Sequence, residues 1–199
     1  MRISGGAAKG RKVGVKKVFV QKGEGDKLRP TSAKVRQAIF NIIGDRIIDS
    51  AFLDLYAGTG AVGIEALSRG AGRVVFIETN SIRVGSIKEF AGRFGFKDRS
   101  VIVKDNAANF IKKAGYIFDI IFVDPPYASG ELDAILPLID EKSILRDNGI
   151  VIAEHSCKKA PPFTSPLDKG GTKGVGSLKL IKNYKYGDTA LSLYRKEKT

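Results

Sequence analysis

The sequence predicts an α/β fold: a doubly wound, mostly parallel seven-stranded sheet, closed by an antiparallel C-terminal hairpin and preceded by a small basic N-terminal arm. Three observations carry this. Short apolar runs of strand length alternate with helical segments from Ala51 to Glu154, the pattern of βαβ units with both sheet faces covered. A glycine-rich turn, Gly58-Thr59-Gly60, separates the first run from the helix after it. Hydrophobic residues make up 43% of the 199 residues, enough for one sizeable core.

Residues 1–30 are basic, Gly-rich and weakly alternating at Val13, Val15, Val18 and Val20, which reads as an extended arm or hairpin. Thr31 or Ser32 can cap a helix with the apolar face Val35, Ile39, Ile42 and Ile43, ended by Gly44. Residues 1–44 thus form an arm-and-helix unit, and 45–199 the main domain. Its expected strands are Ala51–Leu55, Arg73–Ile77, Ser100–Lys104, Phe118–Val123 and Ile150–Glu154, with helices near 61–69, 81–94, 106–114 and 131–140. Residues 158–176 are rich in Pro, Gly and Lys and read as a mobile insertion. Ser177–Ile181 and Thr189–Tyr194 then form a hairpin across Tyr186-Gly187-Asp188.

The net charge of +13 is unevenly spread. Residues 1–36 hold 11 Lys/Arg against Glu24 and Asp26, and residues 156–199 hold 10 against Asp168, Asp188 and Glu197. The middle is slightly acidic. Two basic ends on a near-neutral core are the footprint of a polyanion partner. Cys157 is the single cysteine, so no intramolecular disulfide forms, as suits a reducing cytoplasm. The N-terminus lacks the apolar core of a signal peptide, and no apolar run has the length of a membrane span. The expectation is a cytoplasmic, monomeric protein with no membrane association and no metal.

Gly58, Gly60 and Gly63 follow the first strand in G-x-G-x-x-G spacing. The first two suit a tight turn that a ligand can approach, and the third suits close helix packing. Glu78, 18 residues beyond Gly60 at the next strand's end, can accept hydrogen bonds from ribose hydroxyls. Asp105, with Asn106 after the third strand, either reads an adenine amino group or caps the following helix. A nicotinamide-dependent dehydrogenase would share these features. The fourth strand ends differently, in Asp124-Pro125-Pro126-Tyr127. Two prolines fix two φ angles and remove two donors, leaving a rigid corner with a carboxylate, a carbonyl and a ring. The carboxylate and the Pro125 carbonyl can accept both hydrogens of an exocyclic amine, freeing its lone pair for an electrophilic methyl group, while Tyr127 stacks on the base. Standing alone, the same four residues would read as a strand-ending turn.

Asp54-Leu-Tyr-Ala-Gly-Thr-Gly60 together with Asp124-Pro-Pro-Tyr127 resembles the Rossmann-like class I S-adenosylmethionine-dependent methyltransferases that act on amino nitrogens. The elements Arg2-Ile3-Ser4-Gly5-Gly6, Gly10-Arg11-Lys12, Leu28-Arg29-Pro30-Thr31, Val35-Arg36, Phe40-Asn41 and Gly63-Ile-Glu-Ala-Leu-Ser-Arg69-Gly70 narrow the resemblance. It becomes one to the bacterial 16S rRNA guanine-N2 methyltransferase family (RsmD-like), departing at the stretch near 161–176. The resemblance implies methylation of a guanine N2 in small-subunit rRNA, with S-adenosyl-L-methionine as cofactor and a small-subunit particle or assembly intermediate as partner. The candidate cofactor residues are Asp54, Tyr56, Gly58, Gly60, Glu78, Asp105, Asn106 and Thr31, and the candidate catalytic residues are Asp124, Pro125, Pro126 and Tyr127. Arg2, Arg11, Lys12, Lys16, Lys17, Arg29 and Arg36 are the candidate RNA-binding residues, expected on the same side as the Asp124 corner. The competing readings are an adenine-N6 nucleic-acid methyltransferase, a protein-glutamine methyltransferase, and a non-catalytic RNA-binding or ribosome-assembly protein on the same scaffold. The single histidine, His155, reads as structural, and Lys158-Lys159 as solvated charge.

Overall fold

The computed structural model describes residues 2–12, 31–127, 129–159 and 174–198. The Val13–Val20 alternation, Lys16, Lys17, Arg29 and most of the 158–176 stretch lie outside these residues. Among the described residues five α-helices, α1 (Ala33–Ile43), α2 (Ala61–Ser68), α3 (Ser81–Arg93), α4 (Ala107–Lys113) and α5 (Leu132–Glu141), surround one sheet. Its strands are β1 (Ala51–Asp54), β2 (Arg73–Glu78), β3 (Ser100–Lys104), β4 (Phe118–Val123), β5 (Leu145–Ser156), β6 (Gly174–Val175), β7 (Leu178–Tyr186) and β8 (Thr189–Lys196).

The spatial order is β3-β2-β1-β4-β5-β8-β7-β6. Strands β1 to β5 run parallel, and β8, β7 and β6 add on antiparallel. The seven expected strands are present, and a two-residue strand, β6, extends the edge. β6 falls within the stretch read as mobile. It pairs with Leu178 and Lys179, and Ser177 beside it donates its backbone N–H to Asp140, which pins this end of the stretch to α5. β5 begins five residues earlier than expected. Residues 145–149 join the strand although Asn148 takes a positive φ, and the ladder with β4 is irregular between Phe118 and Ile120 there. β7 likewise continues through Lys182–Tyr186, because polar side chains on an outer strand need no buried face.

Alternating side chains divide the core. Phe52, Phe76, Ile120, Phe122 and Ile152 pack against α1, α2 and α3, whereas Leu53, Val75, Ile121, Val123 and Val151 pack against α4 and α5. Ile39 and Ile43 of α1 belong to the first cluster, so residue 44 marks a change of role and does not separate two cores. Gly63 explains how closely α2 sits on the sheet: a β-carbon there would lie 2.2 Å from Phe76 Cε1. Chain order reverses between β1 and β4, and a crevice opens at the carboxyl ends of these strands, where ligands of open α/β sheets bind. Among the described residues, no helix is long and apolar enough to cross a membrane.

Candidate active site

A cavity of about 800 Å³ occupies that crevice. It is walled by the loop after β1, Glu78 at the end of β2, Asp105 and Asn106 after β3, and the Asp124–Tyr127 corner after β4. Thr31, Asp54 and Tyr56 also line it. The fold thus gathers nearly all the candidate cofactor residues and every candidate catalytic residue around one space. Gly60 stands behind the wall. Its φ of 74° makes the turn into α2, and a β-carbon there would lie 2.9 Å from Ile87 Cγ1.

Asp54 is buried; Oδ2 accepts the Gly63 N–H at 3.0 Å, while Oδ1 has no hydrogen-bond partner among the described residues. Burial pushes its carboxyl up to about 7, against the Gly63 N–H that lowers it, with Glu78 adding repulsion. Glu78 shapes the glycine loop directly. Its Oε2 accepts the Gly58 N–H at 2.8 Å, and Oε1 accepts the Asn80 N–H at 2.8 Å and the Thr79 hydroxyl at 3.3 Å. Oε2 keeps capacity for one further donor. The alternative for Asp105 is resolved in part. Asn106 is the cap of α4, accepting from Asn109 N at 2.8 Å, while Asp105 lines the cavity and accepts the Asn106 N–H. Ser32 caps α1, which frees Thr31 to donate to Asp124 Oδ2 at 3.4 Å. Thr31 therefore touches the Asp124 corner.

Asp124 lies among acidic neighbours. Burial, then the charges of Glu154 and Asp54, raise its carboxyl well above the usual range, and the Thr31 hydroxyl opposes the shift. The Tyr127 hydroxyl donates to Glu154 Oε1 at 3.0 Å and lies 3.1 Å from Thr189 Oγ1. Lys159 Nζ donates to the Tyr127 carbonyl at 3.1 Å, so one of the two lysines read as solvated braces the corner.

Glu131, Glu154, Arg83 and Thr189 escaped the sequence reading. Glu131 accepts the Tyr56 hydroxyl at 2.6 Å, and Arg83 lies 3.6 Å from Glu78. Glu154 was legible in principle, because it ends the strand next to β4. His155 is buried, with Nε2 2.8 Å from Ser192 Oγ; burial lowers its pKa, so it stays neutral near pH 7.

The basic arm requires two corrections. Arg36 is only 1% exposed. Its Nε donates to Glu65 at 3.1 Å and its Nη2 to the Arg2 carbonyl at 2.7 Å, so it binds the arm to the core and cannot present its charge to RNA. Arg11 lies on the wrong edge. Ala7 N and Ala8 N bond to Ser68 at the end of α2, and the Arg11 guanidinium sits 5.3 Å from the Phe94 ring just past α3. Both helices end at the amino edge of the sheet, opposite the cavity, because each returns the chain to the start of the next strand. Arg2 and Lys12 pair at the open end of this small hairpin.

A parallel sheet of order 3-2-1-4-5 with antiparallel C-terminal strands added, and a cavity at its point of reversal, defines a Rossmann-like α/β fold of the class I methyltransferase type. A solved structure from Escherichia coli, yhhF, provisionally titled a methyltransferase, superposes with a TM-score of 0.81 at 30% identity, covering 100% of this chain and 99% of that one. The family model described as Conserved hypothetical protein 95 matches residues 1–195, and the chain belongs to that family. A Bacillus subtilis (strain 168) protein, YlbH, provisionally named an rRNA methyltransferase, is 33% identical over 98% of this chain and 99% of its own length. Ribosomal RNA small subunit methyltransferase D of Escherichia coli (strain K12) is 34% identical over 81% of this chain and 78% of its own.

Proposed function

We propose that the chain is an S-adenosylmethionine-dependent methyltransferase acting on the exocyclic N2 amine of a guanine in small-subunit ribosomal RNA. It works as a cytoplasmic monomer on a small-subunit particle or assembly intermediate. The observation that carries the reading is the shared cavity: the glycine loop with Glu78 and the Asp124 corner open onto one space of about 800 Å³. The family relatives support the reaction and the RNA.

The residues present fit the cofactor. Asp54 Oδ1 is a buried acceptor that awaits a donor, such as a ligand ammonium, and Glu78 Oε2 can take a ribose hydroxyl. Asp105 stands where an adenine amino group would be read. When bound, S-adenosylmethionine supplies an electrophilic methyl group carried on a sulfonium sulfur. Asp124 and the Pro125 carbonyl accept the two hydrogens of the target amine and localise its lone pair. Tyr127 holds the plane of the base. As the N–C bond forms, the methyl–sulfur bond would break to leave a neutral thioether, and Asp124 Oδ1, the oxygen Thr31 does not contact, would take the proton released by nitrogen. The gain comes from positioning and fixed charge.

Glu78→Ala is expected to weaken cofactor affinity about 10- to 100-fold, since hydrogen bonds to a charged acceptor are lost. Calorimetry checks this, and unchanged affinity removes Glu78 from the cofactor set. Activity should also depend on pH. Asp124 works as the ionised acceptor, and its carboxyl is raised. As pH falls through that raised value the acceptor is lost, so kcat/KM declines about tenfold per pH unit on the acid side. Asp54 faces it from β1, Glu154 from β5, with Thr31 and Tyr127 alongside. The acid limb should therefore persist in Asp54→Asn, and a flat profile in the wild type would exclude Asp124 as the acceptor.

RNA affinity comes in this reading from Arg2 and Lys12 with Lys16, Lys17 and Arg29, not from Arg11 or Arg36. Neutralising those five should weaken RNA binding and flatten its dependence on salt, with cofactor affinity unchanged. A wild-type salt slope would move the docking surface to the basic C-terminal segment. The reaction itself is tested by mass-spectrometric mapping of rRNA from cells with and without the protein. One N2-methylguanosine in small-subunit rRNA should depend on the protein. Loss of an N6-methyladenosine would favour the adenine reading, and no change would favour a non-catalytic role.

A further inference from the structure

Three nucleobases carry an exocyclic amine beside a ring nitrogen. In guanine that ring nitrogen, N1, bears a hydrogen; in adenine and cytosine the corresponding nitrogen is an acceptor. A site that methylates the guanine amine can therefore select its base with a second acceptor placed next to the one that receives the amine.

Glu154 occupies such a place. Val123 of β4 and Ala153 of β5 are paired in register, so Asp124 and Glu154 are the next neighbours at the carboxyl ends of the two strands. By strand alternation both lie on the sheet face of Phe122 and Ile152. Glu154 is 5% exposed and lines the cavity with Asp124. It is also held in position: the Tyr127 hydroxyl donates to its Oε1, and that hydroxyl is in turn within hydrogen-bond distance of Thr189, the first residue of β8. A buried carboxylate beside a second carboxylate is costly, and its charge helps to raise Asp124. A ligand edge offering adjacent N–H donors would relieve the repulsion between the two carboxylates.

We propose that Glu154 is a specificity-determining residue that accepts the N1–H of guanine while Asp124 holds the N2 amine, and so rejects bases whose ring nitrogen is an acceptor. This rests on the guanine-amine reading above. For adenine or cytosine, the carboxylate would face a lone pair and lose its donor. Sites that recognise a donor in this way reject analogues lacking it, because a buried polar group is left unpaired.

The probe is 2-aminopurine, which keeps the 2-amine and carries an acceptor at N1. Small-subunit RNA is ligated with either guanosine or 2-aminopurine riboside at the mapped target position and presented in the form the wild type methylates. The wild type should favour guanosine by about 10- to 100-fold in kcat/KM. Glu154→Gln, whose carboxamide can donate to an acceptor nitrogen, should lose rate on guanosine, gain on 2-aminopurine, and bring the ratio to within a few-fold. A structural role alone would lower both rates together and leave the ratio unchanged. Binding of S-adenosylhomocysteine by calorimetry confirms that the variant is folded. If it is not, the same ratio is read in Glu154→Asp, whose carboxylate is withdrawn by one methylene and should likewise narrow the preference, because 2-aminopurine also lacks the 6-oxo group and the wild-type ratio alone does not isolate N1. Equal wild-type rates on the two RNAs, or an unchanged ratio in a folded Glu154→Gln or, in its place, Glu154→Asp, overturn this inference and leave the guanine-amine reading standing. No transfer to guanosine by the wild type overturns both.

Discussion

Replacing Asp124 by alanine is expected to lower kcat about 10²–10⁴-fold while leaving cofactor affinity within a few-fold of wild type. Asp124 contacts Thr31 and lies next to Glu154 and Asp54, and in the proposed mechanism its carboxylate acts on the target amine. The alanine variant removes both the acceptor of the amine hydrogen and the group that takes the released proton. Asp124→Asn separates the two roles: the amide oxygen still accepts a hydrogen bond, but no carboxylate titrates. Its rate should lie between alanine and wild type, and the acid limb of its pH profile should be missing. Single-turnover kinetics with the RNA substrate and calorimetry with the cofactor check both statements. A wild-type rate in Asp124→Ala would remove the corner from the chemistry. A parallel loss of cofactor binding would show that the carboxylate serves the cofactor site.

The largest expected effect on stability lies at Glu65, far from the chemistry. Its side chain is fully buried on α2 and gathers the N-terminal arm. It accepts from the Ser4 N–H and hydroxyl, from Arg36 Nε at 3.1 Å and from Arg69 Nε at 3.0 Å. Burial acts to raise its carboxyl, but the Ser4 donors, Arg69 and Arg36 outweigh burial and hold it below the usual range. A lowered folded-state pKa stabilises the fold at neutral pH, and that contribution is lost as pH falls through the folded value. Glu65→Ala would leave the Arg36 guanidinium buried without its counter-charge, a loss of about 3–5 kcal/mol. Urea denaturation should show it, together with faster proteolysis of residues 2–12. The double variant Arg36→Met, Glu65→Leu should recover much of the loss, because an apolar pair avoids the desolvation cost. A loss below about 1 kcal/mol in Glu65→Ala would place this pair with weak surface bridges.

Sequence alone was enough for the α/β layering and for the two motifs that line the cavity. Strand and helix periods are local, and the loops after β1 and β4 must meet at the carboxyl edge once the strands are parallel. The Asp-Pro-Pro-Tyr corner was readable for the same reason: two prolines leave the backbone little choice. Only the tertiary structure decided which charges are inside and which edge each occupies. Arg36 looks like any basic residue on a helix until Glu65, 29 residues away, is seen to pair with it in the core. Arg11 looks like part of an RNA-facing arm until the ends of α2 and α3 are placed at the amino edge of the sheet. Glu154 looks like the polar end of a strand until the β4–β5 register sets it beside Asp124 and the Tyr127 hydroxyl fixes its carboxylate. Periodicity records which residues a segment can bury, but pairing across the sheet and between distant segments depends on register and packing. Those arise only when the whole chain has folded.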